Sequence, residues 1–176
     1  MERSLAGETE AFHGLVERYR DPLYRLVYRF LPNHHDALEI SQETFARAWE
    51  KLGTFDTARS FRVWLFSIGA NQARDLIRKR GRRGLVHSDD LLAGAAGGGS
   101  PEAAASISEE SERLRAAVDR LPDEKRLAVV LRYFEGMSIA EMEEITGEGR
   151  STLKVRLFRA RKDLLRMLDG KDGLHE

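Results

Sequence analysis

The sequence contains no cysteine and no long hydrophobic run, and its 29 basic and 29 acidic residues leave no net charge. The absence of cysteine excludes disulfides and thiolate metal sites, and it is typical of a cytosolic protein. Because no run of about 18 apolar residues occurs, we expect no helix that spans a bilayer. The start, MERSLAGETEAF, lacks the apolar core of a secretory signal. We therefore expect a cytoplasmic protein that does not insert into a membrane.

Residues arranged for catalysis or cofactor binding are also missing. The five histidines show no metal-ligand spacing with carboxylates; they are His13, His34, His35, His87 and His175. The segment GAAGGGS is not followed by the GK[ST] of a phosphate-binding loop. No nucleophile stands in an arrangement with a general base. The sequence predicts no enzymatic activity, no metal and no cofactor.

The net charge of zero conceals two basic segments. One lies between Arg59 and Arg83, and the other lies between Arg150 and Lys171. Acidic residues collect between them, at 89–112 and again at 141–148. This pattern favours two contacts with one polyanion. Two solvated helix faces are the alternative interpretation.

The stretch from Gly81 to Ser108 differs in composition, since it is rich in glycine, alanine and serine. Such a segment buries too little apolar surface to order itself, so it predicts a flexible linker. The predicted organisation is an N-terminal domain at 1–82, a linker at 83–109, a C-terminal domain at 110–170 and a tail at 171–176.

Apolar residues recur at helical spacing in both domains, and no alternating strand pattern occurs. In the N-terminal domain a helix is predicted from about Asp36, with the apolar stripe Leu38, Phe45, Ala48, Trp49 and Leu52. A longer helix follows Ser60, which can cap it; its stripe is Phe61, Trp64, Leu65, Ile68 and Leu76. The pattern predicts an all-α fold of two small helical domains.

The C-terminal domain has sharper helix signals. A helix with Leu114, Val118 and Leu121 stops at Pro122. The next helix carries Leu127, Val130, Leu131 and Phe134 and ends at Gly136. Ser138 and Glu141 have the spacing of a capping box that opens a short helix. Gly147 and Gly149 make a turn, and the last helix buries the stripe Leu153, Leu157, Ala160, Leu164 and Leu168.

This short helix, the turn and the basic helix after it have the proportions of a helix-turn-helix. The first residues of the second helix would then reach base edges; they are Arg150, Ser151, Thr152 and Lys154. Residues farther along suit phosphates, namely Arg156, Arg159, Arg161 and Lys162. An antiparallel helical hairpin inside a bundle is the alternative interpretation.

Aromatic and basic residues also mix in the N-terminal domain. Asn71, Arg74 and Arg78 share a helix face, and aromatic residues precede them. Such a mixture suits single-stranded nucleic acid, where stacking contributes about 1–3 kcal/mol per base. Phe61 and Trp64 lie on the apolar stripe, however, so they are expected in the core. Phe55 lies in the loop LGTFDTARS and is the expected exposed aromatic.

Two long segments resemble a known family. DALEISQETFARAWEKLGTF followed by SFRVWLFSIGANQARDLIRKR resembles region 2 of the extracytoplasmic-function (ECF, group 4) sigma factors of the sigma-70 family. LPDEKRLAVVLRYFEGMSIAEMEEITGEGRSTLKVRLFRARKDL resembles their region 4. The resemblance covers nearly the whole chain outside the linker and the tail. It implies a sigma factor that directs core RNA polymerase to promoters, with an anti-sigma factor as its regulator.

The resemblance also implies roles for particular residues. The helix from Asp36 would dock on the clamp helices of the polymerase beta-prime subunit, and region 4 would meet the beta flap. The residues implied for docking are Asp36, Glu39, Gln42, Glu43 and Arg47, while Phe45 and Trp49 would be core. Those implied for the melted minus-10 element and its flipped base are Phe55, Ser60, Asn71, Arg74, Asp75 and Arg78. Those implied for the minus-35 duplex are Arg150, Ser151, Thr152, Lys154, Arg156 and Arg159.

Three residues depart from the family pattern. Leu38 stands where the family has an acidic residue, Glu143 where it has a small one, and Glu148 where it has an apolar one. Because Glu143 faces the second helix, an unpaired carboxylate there would be costly. Either carboxylate pairs with a nearby arginine, or the motif is looser than usual.

Two other functions fit parts of the sequence. A sigma-like decoy would capture an anti-sigma protein without directing transcription. A simple helix-turn-helix regulator would bind duplex DNA by itself, usually as a dimer, but it leaves the N-terminal domain unexplained.

Overall fold

The computed structural model describes residues 9–82 and 109–169, and the regular elements in these two stretches are all helical. The first stretch contains α1 (Thr9–Phe30), α2 (His34–Glu50) and α3 (Phe61–Arg82). The second contains α4 (Glu109–Asp119), α5 (Asp123–Val129), α6 (Ile139–Thr146) and α7 (Arg150–Leu168). The predicted all-α fold is confirmed. The predicted tail and nearly all of the predicted linker, with His87 and His175, lie outside the described residues.

Local chemistry sets several helix ends. Asn33 caps α2 by accepting the Asp36 backbone N–H at 3.0 Å, so this helix begins slightly before the predicted start. The predicted capping box of α6 is present, with Glu141 N–H donating to Ser138 Oγ at 3.2 Å and Ser138 N–H to Glu141 Oε2 at 2.7 Å. Gly147 ends α6 with φ at +73°, a conformation that glycine adopts without strain.

Helices α1, α2 and α3 pack together in the N-terminal half. Helix α3 approaches both α1 and α2 closely at Gly69, where a Cβ would lie 3.0 Å from Leu23 Cδ1 of α1 and 3.4 Å from Thr44 Oγ1 of α2. Helix α2 therefore buries small residues such as Ala37, Thr44 and Ala48. The predicted stripe was wrong for α2 at Leu38 and Trp49, which are 43% and 39% exposed.

The C-terminal half has two packing groups. Helices α4, α5 and α7 enclose a small cluster of Val118, Leu121, Val129 and Ala160. Helices α6 and α7 are joined through Met142, Ile145, Leu153 and Leu157, which are buried. After α5 the chain forms a π-helical turn, Val130–Phe134, and the predicted core residue Phe134 is 41% exposed. Leu114, also predicted on a stripe, is 39% exposed because α4 packs chiefly through its last turn.

The two halves share one apolar core. Helix α3 packs against α6, and the largest buried cluster joins residues of α1 and α3 with residues such as Leu131, Met142 and Leu153. Arg126 of α5 is buried at this junction and donates to the Phe30 carbonyl at 3.0 Å and the Leu121 carbonyl at 3.0 Å. The halves that the sequence predicts as separate domains are therefore in direct contact.

The part of the chain that the structure describes has neither a membrane-spanning helix nor a metal site. None of its helices is both long and apolar enough to cross a bilayer. No group of histidine, aspartate and glutamate side chains in residues 9–82 and 109–169 is arranged to hold a metal ion.

Candidate nucleic-acid interface

Helix α3 carries the first group of predicted contacts on one face. Asn71, Asp75 and Arg78 are exposed, and Arg78 donates to Asp75 at 2.7 Å. Arg74 is half-buried and donates to Asn71 Oδ1 at 3.3 Å and to the Thr146 carbonyl at 3.1 Å. Burial lowers the pKa of the Arg74 guanidinium below its ordinary value. The face is thus assembled as predicted, but α6 covers the part around Arg74.

The aromatic residues before this face form a cluster. Phe55 is buried, with 7% of its surface exposed, and its ring lies 4.8 Å from that of Trp64 and 5.7 Å from that of Phe61. The expectation that Phe55 is exposed was wrong, because a short turn at Leu52–Thr54 brings the loop back onto α3. Phe61 is buried as predicted, whereas Trp64 is half-buried.

Ser60 occupies the predicted place before α3. Its carbonyl accepts the Trp64 backbone N–H at 3.1 Å, which starts the helix. Its hydroxyl lies 3.5 Å from the Val63 nitrogen, at the outer limit of a hydrogen bond. The side chain is exposed and lies beside the aromatic cluster.

Arginines of the first basic segment contact the other half of the molecule. Arg62 donates to Glu135 at 2.8 Å, and Arg29 donates to the same carboxylate at 3.1 Å. Arg59 pairs with Glu144 of α6 at 2.5 Å. Only 6% of the Glu135 side chain is exposed, so this carboxylate is paired twice in a place that water scarcely reaches. Arg59 and Arg62 of the first basic segment are therefore engaged within the chain.

The predicted docking residues divide into two groups. Glu39, Gln42, Glu43 and Arg47 are exposed on α2, and Arg47 donates to Glu43 at 2.5 Å. Asp36 is different, since it is buried and accepts two hydrogen bonds from Arg80, at 2.6 and 2.7 Å. Asp36, which the resemblance implies for docking, is thus not part of the exposed face, and its carboxylate joins the start of α2 to the end of α3. The exposed Leu38 lies beside this surface instead.

The predicted helix-turn-helix is formed by α6, the turn at Gly147 and Gly149, and α7. Five of the predicted contact residues are exposed on α7: Arg150, Ser151, Thr152, Lys154 and Arg159. Sequence reasoning missed Val155 and Phe158, which are 49% and 66% exposed. Their helical spacing off the Leu153 and Leu157 stripe was the signal that could have found them.

The two unusual carboxylates of this motif are both paired. Glu143 accepts from Arg150 Nε at 2.5 Å and from the Arg150 backbone N–H at 3.0 Å. Glu148 pairs with Arg156, which also lies 3.0 Å from Glu124. The first of the two alternatives is therefore correct, since each carboxylate has an arginine partner. Arg156 is 20% exposed and held by two acids, so its guanidinium stabilises the turn.

Family models match both halves. The model for Sigma-70 region 2 matches residues 15–83, and the model for Sigma-70, region 4 matches residues 111–164. The chain is 35% identical over 173 residues to the ECF RNA polymerase sigma factor SigW of Bacillus subtilis, covering 92% of this chain and 91% of that protein. It is 30% identical over 159 residues to the RNA polymerase sigma factor SigV of Bacillus subtilis, covering 90% and 91%.

Solved structures agree with these relatives. One is CnrH in complex with the cytosolic domain of CnrY, with a TM-score of 0.71 and 30% identity over 96% of this chain and 94% of that chain. Another is the sigma factor RpoE in complex with the anti-sigma factor NepR from Bartonella quintana, with a TM-score of 0.76 and 25% identity over 92% and 98%.

A helix-turn-helix beside a basic helical domain is typical of a DNA-binding protein. More particularly, the chain belongs to the ECF sigma factors of the sigma-70 family. Sigma factors are not catalytic enzymes in the usual sense.

Proposed function

We propose that this chain binds core RNA polymerase, recognises promoters at two elements and starts transcription there, under the control of an anti-sigma factor. The observation that carries the proposal is that the chain has two separate exposed faces, a polar one on α2 and a basic one on α7. Each lies in one of the two matched sigma regions. The chain has no catalytic role of its own in this proposal, since the polymerase supplies the chemistry. Its proposed location is the cytoplasm, where polymerase works.

Polymerase docking is assigned to the exposed face of α2. Its charged residues are Glu39, Glu43 and Arg47, and Gln42 adds a polar amide. Exposed charges on a firmly packed helix suit specific docking, because they steer encounter and fix orientation. The proposed receptors are the beta-prime clamp helices for this face and the beta flap for the C-terminal half.

Minus-10 binding is assigned to α3 and the loop before it, with Ser60, Asn71, Arg74, Asp75 and Arg78 as contacts. Phe55 keeps a place in this proposal only if its loop rearranges, because its ring is buried. Arg74 donates to the Thr146 carbonyl of α6. A DNA strand on this face must replace that contact, so promoter binding requires the two halves to separate at α3 and α6.

Minus-35 binding is assigned to α7. Arg150, Ser151 and Thr152 stand at its first turn, where recognition helices meet base edges. Lys154 and Arg159 are exposed and have no assigned acid partner among the described residues, so they suit phosphates. Arg156 stays in the proposal as a supporting residue, because Glu148 and Glu124 hold it.

Control by an anti-sigma factor is proposed from the relatives. RpoE was solved with the anti-sigma factor NepR, and CnrH with the cytosolic domain of CnrY. An inhibitor of this class would stabilise the contact between the halves or cover the face of α2. Either action prevents polymerase and promoter from being engaged together.

Transcription in vitro tests the function directly. The purified chain is added to bacterial core polymerase on a pool of genomic promoter fragments, and the start sites are sequenced. We expect specific transcripts that core polymerase alone does not make. Core binding without transcripts would point to a missing activator or to impaired duplex reading at Glu143 and Glu148. Neither transcripts nor core binding would favour a decoy, and duplex binding by the free chain without core binding would favour a simple regulator.

A further inference from the structure

The N-terminus of α7 lacks a side-chain cap of its own. Gly149 occupies the capping position and makes no side-chain hydrogen bond. Glu143, from the preceding helix, replaces that cap, because its Oε1 accepts the Arg150 backbone N–H at 3.0 Å. A carboxylate at a helix N-terminus is also favoured by the helix dipole. Glu143 therefore fixes where α7 begins relative to α6.

The second oxygen of the same carboxylate fixes a side chain. Glu143 Oε2 accepts from Arg150 Nε at 2.5 Å, so both oxygens bind one residue. The Arg150 side chain is 68% exposed, whereas that of Glu143 is 29% exposed. The bond uses the inner nitrogen of the guanidinium, and among the described residues nothing binds its two terminal amino groups. Glu143 thus holds the guanidinium at Nε and leaves its two terminal amino groups in solvent.

This arrangement suits a base better than a phosphate. Arginine reads guanine by donating two hydrogen bonds to O6 and N7 in the major groove. A free arginine side chain loses rotamer entropy when it is fixed, and Glu143 has already restricted this one. Because Glu143 also neutralises the charge, the pair adds little to the attraction for phosphates, which depends on counterion release.

The contrast with Arg156 supports the same conclusion. Arg156 is 20% exposed, and its terminal nitrogen Nη1 is paired with both Glu148 and Glu124. Arg150 has one acid partner and stands at the first residue of α7. The two arginine–carboxylate pairs of the motif therefore differ in what they leave available to DNA.

We propose that Glu143 is a positioning residue that holds Arg150 as the reader of one guanine in the minus-35 element. This inference rests on the proposed function. It assigns a role to a carboxylate at a position where the sequence pattern leads one to expect a small side chain. Glu143 touches Arg150 and not the DNA.

The test uses holoenzyme on promoters whose minus-35 element is randomised, with the transcripts sequenced. We expect the wild type to select guanine at one position and Arg150→Ala to lose that preference. Glu143→Ala should lower the same preference about tenfold, and the double variant should match Arg150→Ala. Glu143→Gln, which keeps an oxygen acceptor, should fall between the wild type and Glu143→Ala.

Glu144→Ala is the matched control, because this neighbouring acid of α6 pairs with Arg59 and not with α7. It should leave the guanine preference unchanged. Thermal unfolding of each variant separates lost specificity from lost stability, and if Glu143→Ala fails to fold the comparison of Glu143→Gln with the wild type decides.

Two results would overturn the inference. An unchanged base preference in Glu143→Ala and Glu143→Gln would mean that Glu143 only caps the helix. An equal loss on all sequences in Arg150→Ala, with a shallower dependence on salt, would mean that Arg150 contacts phosphate. If the wild-type holoenzyme selects no promoter at all, the proposed function fails as well, which distinguishes the two failures.

Discussion

The two basic segments of this chain look alike in the sequence but differ in the structure. In the first, Arg59 and Arg62 reach across to acids of the other half. In the second, Arg150 and Arg156 are paired within their own motif, whereas Lys154 and Arg159 are exposed. A run of basic residues therefore predicts where a basic patch lies, but not whether its charges are free to bind DNA or are paired within the chain.

Helix α6 lies between the two segments and serves both. Glu144 pairs with Arg59 on one side, and Glu143 pairs with Arg150 on the other. The Glu144–Arg59 pair joins the two halves of the molecule, and the Glu143–Arg150 pair orders the helix-turn-helix. Substitutions that break the Glu144–Arg59 pair should therefore affect the contact between the halves, and those that break the Glu143–Arg150 pair should affect the helix-turn-helix.

Removing the buried link between the halves should have the largest effect on stability. Arg126→Met leaves the carbonyls of Phe30 and Leu121 without their donor in a buried place. We expect the free energy of unfolding to fall by about 3 kcal/mol, measured by urea denaturation. Arg132→Met is the matched control, because this exposed arginine donates to a single carbonyl at Met137. An equal loss in both variants would contradict the account.

Reversing the free charges of the second segment should weaken promoter binding strongly. Lys154→Glu together with Arg159→Glu should lower the affinity of holoenzyme for promoter DNA about a hundredfold at moderate salt, since phosphate contacts dominate affinity. Binding to core polymerase, measured by fluorescence anisotropy, should be unchanged. Loss of core binding in this double variant would contradict the assignment of polymerase docking to α2 and of duplex binding to α7.

Removing the carboxylate that joins the halves should open the molecule. Glu135→Ala removes the carboxylate that Arg29 and Arg62 share, whereas Arg62 keeps its hydrogen bond to the Glu135 backbone carbonyl. The loss should cost the closed arrangement about 1–3 kcal/mol. Because the chain has no native cysteine, dyes can be placed with Glu50→Cys and Lys162→Cys. Energy transfer between them should fall.

The same variant should bind a single-stranded minus-10 oligonucleotide more tightly than the wild type, because Arg62 and Arg74 become accessible. Glu110→Ala changes an exposed acid of α4 and is the control. It should alter neither the energy transfer nor the binding of the oligonucleotide. Unchanged energy transfer and unchanged strand binding in Glu135→Ala would show that this carboxylate does not hold the halves together.

The smallest expected effect is a dependence of stability on pH, caused by protonation of Glu141 in α6. Hydrogen bonds from Ser138 hold the pKa of Glu141 below its ordinary value. A carboxyl whose pKa is lower in the folded state stabilises the fold above its unfolded pKa, and the contribution is lost as the pH falls through the folded pKa. Glu141→Ala should therefore lower stability by about 0.5–1 kcal/mol at pH 7 and by less at pH 3. An equal difference at both pH values would exclude this cause.

Local features were the most predictable from the sequence. The capping box at Ser138 and Glu141 and the turn at Gly147 depend on residues within a few positions of one another, so their spacing predicts them. The same holds for the buried stripe of Leu153, Leu157 and Ala160 on α7. The matched sigma regions agree with the helices predicted in both halves.

Contacts between distant residues were not predictable in the same way. Asp36 and Arg80 are 44 positions apart, and Arg29 and Glu135 are 106 apart, so no local pattern links them. Phe55 is buried because a loop turns back onto α3, which depends on packing rather than on the polarity of the loop. Glu143 was recognised as unusual, but only the structure supplied its partner, Arg150.

The most direct test of the central claim is transcription in vitro with three proteins side by side: the wild type, a docking variant and a duplex variant. The docking variant carries Glu39→Lys and Glu43→Lys on α2, and the duplex variant carries Lys154→Glu and Arg159→Glu on α7. We predict promoter-specific transcripts with the wild type only, loss of core binding in the docking variant alone, and loss of promoter binding with core binding retained in the duplex variant. Transcripts from both variants at the wild-type level would contradict the claim that these two surfaces direct polymerase to promoters.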